Sequence, residues 1–155
     1  MHAGHTLTQG HKVVLQAWLS AHPSFRLATV EDCRCADDVA NMRQGLGGEW
    51  RPVADYQPYV ATGDFNGDGK TDFAVVLVEK SAQPGSFAFL VFNGPFAEGP
   101  QEPAFIESGR DLARQGLFFG PPRPKPYRLL LGPFESEASI LMPKGKTYSR
   151  VYNEP

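Results

Sequence analysis

In two stretches before about residue 46 the apolar positions of this chain recur at helical spacing, and from residue 59 they gather into short runs separated by polar breaks rich in Gly and Pro. Residues 9–21 place Val14, Leu15, Trp18 and Leu19 on one face, at separations of three and four. That spacing predicts an amphipathic helix. Thr8 is a suitable N-cap and Pro23 stands just beyond the end. Residues 24–30 read as a strand with Phe25 and Leu27 on one side. A second, shorter helix is predicted over 36–44, from Val39, Met42 and Leu46, with Gly45 placed to end it in the left-handed conformation.

After a polar connection over 45–58 the period changes to that of β-structure. Strands are predicted over 59–62, 73–79, 86–92, 104–107, 116–119, 127–131, 138–142 and 147–152. The run at 73–79 is almost entirely apolar, which is expected of a central strand buried on both faces. Turns are expected at 82–85 and around Pro143-Lys144-Gly145, a loop over 93–103, a helical turn near 111–114, and a stiff connector over 121–126. No internal repeat is present. Consecutive strands with short connections favour antiparallel pairing. The predicted class is therefore α+β, with two N-terminal helices packed on a mainly antiparallel sheet of about six or seven strands.

Composition adjusts this picture only slightly. The 155 residues suit a single domain, residues 1–155, with the polar segment 1–8 as a disordered arm. The formal net charge of −2 gives no reason to expect nucleic acid or an anionic membrane as partner. No apolar run is long enough to cross a bilayer as a helix, and the N-terminus lacks the pattern of a signal peptide. The chain is thus expected either to be cytosolic or to have lost a leader. Cys33 and Cys35 are one residue apart. In extended chain such side chains point away from each other and a bond would close a tiny, strained ring, so two reduced thiols are expected, with a strained redox pair or disulfides to a partner chain as the alternatives.

Candidate chemistry is concentrated between residues 63 and 75, Gly-Asp-Phe-Asn-Gly-Asp-Gly-Lys-Thr-Asp-Phe-Ala-Val. Asp64, Asn66, Asp68 and Asp72 supply side-chain oxygens. Calcium is a hard cation that takes six to eight oxygen ligands at 2.3–2.6 Å. Alternate residues of a tight loop turn inward around one point, and Gly69 permits the sharp turn that directs the Lys70 carbonyl at the ion. Three carboxylates this close repel one another without a cation, which couples the ion to the fold. An EF-hand is ruled out. Its loop ends on a bidentate Glu at position 12, and counting from Asp64 that position is Val75, inside an apolar strand.

The pattern Asp64-x-Asn66-x-Asp68-Gly69-x-x-Asp72, preceded by Gly63 and including Phe65, resembles the FG-GAP (VCBS-type) repeat of integrin α-subunit propellers and many secreted bacterial proteins. The resemblance covers about residues 60–78. It implies calcium as cofactor, held by the side chains of Asp64, Asn66, Asp68 and Asp72 and the carbonyl of Lys70. It also implies a bacterial, extracytoplasmic module with a non-catalytic structural or binding role, periplasmic or secreted. A single copy cannot build a propeller.

Two other classes of function compete with that one. An inhibitor or immunity-type protein that binds a protein partner would expose an apolar patch at Phe118, Phe119 or Phe134. An enzyme would hold a perturbed carboxylate or His in a deep pocket. Remaining features have plainer readings. His2, His5 and His11 belong to a polar terminus rather than a transition-metal site, and His22 caps a helix end. Glu135 and Glu137 read as exposed strand residues rather than a catalytic pair, and Trp18 and Trp50 as packing residues.

Overall fold

The structure is a computed structural model, and it describes residues 4–44, 56–80, 86–96, 101–120, 125–133 and 139–151. Among these, three helices form: α1 (Gln9–Ala21), α2 (Val30–Cys33) and α3 (Ala36–Gln44). Nine strands follow the chain: β1 (Phe25–Leu27), β2 (Val60–Gly63), β3 (Asp72–Glu79), β4 (Phe87–Phe92), β5 (Phe105–Gly109), β6 (Gln115–Phe118), β7 (Leu129–Pro133), β8 (Ser139–Lys144) and β9 (Thr147–Val151).

β3 organises the first sheet. One edge pairs with β4, and β4 with β5. The other edge is shared by β2, opposite residues 72–75, and β1, opposite residues 77–79. Every pairing is antiparallel. Because successive strand residues face opposite ways, Phe73, Val75 and Leu77 join Ala88, Leu90 and Phe92 beneath Val14, Leu15 and Trp18 of α1. Ala74, Val76 and Val78 join Phe89 and Val91 on the opposite face. There they meet Leu117, Leu129, Leu131 and Leu141 of a second sheet, ordered β6-β7-β8-β9. Helix, sheet and sheet thus form three layers. Both faces of β3 are covered, which explains its unbroken apolar run.

This corrects the predicted architecture. The strands do not form one sheet of six or seven carrying two helices; they form two sheets, and only α1 is a long helix. The series divides between β5 and β6, where Leu112 is fully buried and Arg114 adopts φ 62°. That turn hands the chain to the second sheet through a connection no longer than a hairpin loop, so strand spacing alone does not reveal it. The strand read over 24–30 also stops early, at Leu27. The Asp32 carboxylate accepts from the Thr29 N–H (2.7 Å), the Thr29 hydroxyl (3.0 Å) and both terminal nitrogens of Arg26, and α2 starts there. The Arg26 guanidinium holds that carboxyl down to about 2.

Helix α1 is as predicted over 9–21, with Thr8 as its N-cap. The His11 ring nitrogen returns the bond, accepting from the Thr8 N–H at 3.2 Å. Burial lowers the His11 pKa, which keeps that nitrogen an acceptor. His22 donates from Nδ1 to the Trp18 carbonyl at 2.8 Å, closing the helix end. His5 is likewise occupied, donating to the Val60 carbonyl at 2.7 Å. Gly4 bonds Thr62 in both directions. Gly4 and His5 are thereby tied to β2. His2, Gly45, Trp50, the turn at 82–85, Phe134, Glu135 and Glu137 lie outside the described residues.

Cys33 and Cys35 form a disulfide, contrary to the expected thiols. The residue between them, Arg34, has φ 56° and ψ 36° at the end of α2. That left-handed step turns both side chains to one side, with the Cα atoms 5.1 Å apart. A three-residue ring removes little unfolded-state entropy, about 1.6 kcal/mol against about 3 kcal/mol for a fifteen-residue loop. Its contribution is local, fixing the corner between α2 and α3.

Candidate metal centre

The loop between β2 and β3 is shaped by its own side chains. Gly67 and Gly69 take φ values of 75° and 82°, a region costly for residues with a Cβ. Asp64 accepts three backbone N–H groups: Gly67 (2.8 Å) and Asp68 (3.1 Å) on Oδ1, and Gly69 (2.9 Å) on Oδ2. Asn66 Oδ1 accepts from the Asp68 N–H at 3.3 Å, and Asp68 Oδ1 from the Lys70 N–H at 2.9 Å. The chain is thereby wound around its acidic residues. Phe65 points the other way, into the core, and meets Phe119 edge to face at 4.8 Å.

Asp72, the first residue of β3, is fully buried. Its Oδ2 accepts from the Phe65 N–H at 2.8 Å, and its Oδ1 from the Gly94 N–H at 2.9 Å. Gly94 lies in the segment after β4, and its neighbour Asn93 reaches the second sheet. Asn93 Oδ1 accepts from the Tyr148 hydroxyl (2.6 Å), and its Nδ2 donates to the Lys146 carbonyl (3.0 Å).

Asp64, Asp68 and Asp72 each offer a carboxylate oxygen, and these oxygens all lie within 4.8 Å of one another. Oxygens around one calcium ion stand at most about 5 Å apart, twice a bond of 2.3–2.6 Å, so the spacing fits. Among the described residues the cluster is made of carboxylates alone, a donor set that suits calcium better than zinc. The structure brings these three predicted residues together. Asn66 is half-buried beside them, and the Lys70 side chain is exposed, as expected of a residue that would contribute only its carbonyl.

Burial, and then repulsion from Asp68 and Asp64, push the Asp72 carboxyl up to about 6 from an ordinary 3.8, although the N–H bonds from Gly94 and Phe65 oppose the rise. The folded-state pKa lies above the unfolded one. This group's contribution to stability is therefore complete below 3.8 and is lost as pH rises through about 6. A cation requires the ionised form and restores what the metal-free protein loses. The rise in melting temperature on adding calcium is accordingly expected to be small at pH 4.5 and complete by pH 7. Thermal unfolding with and without calcium across that range checks this; an increment independent of pH would contradict it.

Sequence reasoning missed Asn93, Gly94 and Tyr148. The dipeptide Asn93-Gly94 before Pro95 signals a turn, but nothing in the sequence joins that turn to Asp72 or to β9.

Residues 60–76 match the family model of the FG-GAP repeat. The match covers β2, the acidic loop and the first half of β3. No curated protein and no solved structure matches the chain.

Proposed function

We propose that the protein is a calcium-binding, non-catalytic module of an extracytoplasmic compartment, in which the ion fixes the β2–β3 loop. The observation that carries this is the convergence of Asp64, Asp68 and Asp72 in a loop already wound by backbone N–H groups. In this reading the ligands are the side chains of Asp64, Asn66, Asp68 and Asp72 and the carbonyl of Lys70. The affinity expected is that of extracellular modules, roughly 10⁻⁴–10⁻³ M, which is useful only where calcium is plentiful. The Cys33–Cys35 disulfide supports the same location, since disulfides persist in oxidising compartments.

The competing readings find less support. Phe118 and Phe119, offered as an exposed recognition patch, are buried at 7% and 6% exposure in the core. Asp72, the carboxylate held above its ordinary range, lines neither the cavity of about 410 Å³ beside Arg34, Cys35 and Arg114 nor the one of about 230 Å³ beside Lys12, Gln57 and Tyr59. No helix among the described residues is long and apolar enough to cross a membrane.

Calorimetric titration with calcium tests the assignment. Asp68 is exposed, and among the described residues its side chain accepts from the Lys70 N–H alone, so Asp68→Ala is expected to abolish binding while costing the metal-free fold no more than about 1 kcal/mol. Full affinity in that variant would overturn the ligand set.

A further inference from the structure

The β8–β9 hairpin lies far along the chain from the acidic loop and outside the segment that matches the repeat, yet it reaches Asp72 through two residues. Tyr148 is 4% exposed and delivers its hydroxyl to Asn93 Oδ1. Asn93 also grips the hairpin turn through the Lys146 carbonyl, and its own carbonyl accepts from Gln101 Nε2 at 2.9 Å. Its side chain and backbone are thus held from three sides. Held this way, Asn93 presents the next N–H, that of Gly94, to Asp72 Oδ1. The position leaves no slack, because a Cβ on Gly94 would stand 2.2 Å from the Thr71 carbonyl oxygen. The same hairpin contacts the first sheet at two other places, Thr147 Oγ1 on the Ala104 carbonyl (2.7 Å) and Arg150 on Glu107. Neither of those contacts touches the metal loop.

We infer that Asn93 and Tyr148 are positioning residues for the metal ligand Asp72, and that calcium in the loop and the docking of the β8–β9 hairpin on the first sheet stabilise each other. This rests on the calcium reading above. The Tyr148 hydroxyl and the Asn93 amide fix the orientation of Gly94, and Gly94 fixes the rotamer of Asp72. A carboxylate already aimed at the ion loses less freedom on binding, so the docked hairpin raises affinity. Linkage requires the converse: an ion that selects this Asp72 rotamer must favour the docked hairpin by the same factor. Calcium would then act as a clasp between two sheets, well beyond ordering its own loop. Burial, and then the charges of Asp72, Asp68 and Asp64, raise the Tyr148 pKa, which keeps its hydroxyl a donor in the working pH range.

The test compares three variants of the full chain, Tyr148→Phe, Asn93→Ala and Thr147→Val, by calorimetric titration with calcium chloride and by amide hydrogen exchange of residues 147–151. Thr147→Val removes a hairpin-to-sheet bond of similar strength outside the relay, and so controls for general loosening. Tyr148→Phe and Asn93→Ala are expected to weaken calcium binding by roughly three- to tenfold, and Thr147→Val to leave it unchanged. Calcium is expected to slow exchange in the hairpin of the parent and of Thr147→Val, and to do so much less in the other two. Equal affinities in all four proteins, or equal loss in all three variants, would overturn the relay while leaving the calcium reading intact. A parent chain that takes up no calcium would overturn both. Should Asn93→Ala fail to fold, Tyr148→Phe, which keeps the ring and its packing, decides alone.

Discussion

Asp72→Asn is expected to weaken calcium binding by roughly a hundredfold or more, yet to leave the stability of the metal-free protein at pH 7 within about 1 kcal/mol of the parent. The two effects separate because Asp72 has two roles. As a ligand it contributes charge, which an amide lacks. As a structural acceptor it holds the Phe65 and Gly94 N–H groups, and an amide oxygen still serves one of them. The lost acceptor costs about 1–3 kcal/mol. Against that, the variant no longer buries a charge beside Asp64 and Asp68, a cost visible in the carboxyl pushed up to about 6. Chemical denaturation in chelator and then in calcium reads both quantities. A variant that keeps the parent's calcium-dependent gain would show that Asp72 is not a ligand.

Gly94→Ala is expected to be the most damaging substitution of a single small residue near the site. The new Cβ would meet a backbone atom, the Thr71 carbonyl oxygen, at 2.2 Å. No rotamer change relieves a clash with backbone, so the segment must move and the Gly94 bond to Asp72 must break. A loss of about 3 kcal/mol, with a fall in melting temperature of roughly 6–12 °C, is expected. Calcium affinity should fall with it. Gly67→Ala and Gly69→Ala provide the comparison: a Cβ at either position would have nothing within 4 Å, and the cost is that of the left-handed backbone alone, about 1–2 kcal/mol. Thermal unfolding of the three variants orders them. Equal losses would mean that crowding against Thr71 is not what fixes Gly94.

Much of the site was legible because its chemistry is local. Asp64, Asn66, Asp68 and Asp72 lie within nine residues, and the hydrogen bonds that wind the loop connect neighbours two to five positions apart. Helix α1 was legible for the same reason, since the Thr8 cap and the apolar face act within single turns, whereas His11, read as part of a polar terminus, is buried and completes the cap. The apolar run of β3 carried more than local information: its lack of alternation reports cover on both faces. What failed was long-range. No periodicity distinguishes a meander that stays in one sheet from one that leaves it at Leu112. Nor does any spacing join Tyr148 to Asn93. The disulfide was misjudged for a different reason: the expectation assumed extended geometry at Arg34, where the chain takes a left-handed step. The start of α2 was present in the sequence as Thr29-Val30-Glu31-Asp32, a capping pattern hidden by the apolar residues before it.

Calcium in the loop Asp64–Asp72 and a fold that depends on it would both show in the melting of the protein. The decisive experiment is thermal unfolding of the full chain in excess chelator, then with calcium or magnesium at millimolar concentration. An ion that binds only the folded state raises stability by about 2.7 kcal/mol at a hundredfold excess over its dissociation constant. A rise with calcium that grows with its concentration and is not matched by magnesium is expected. A melting temperature indifferent to both ions would reduce the loop to a hydrogen-bonded turn with no calcium site.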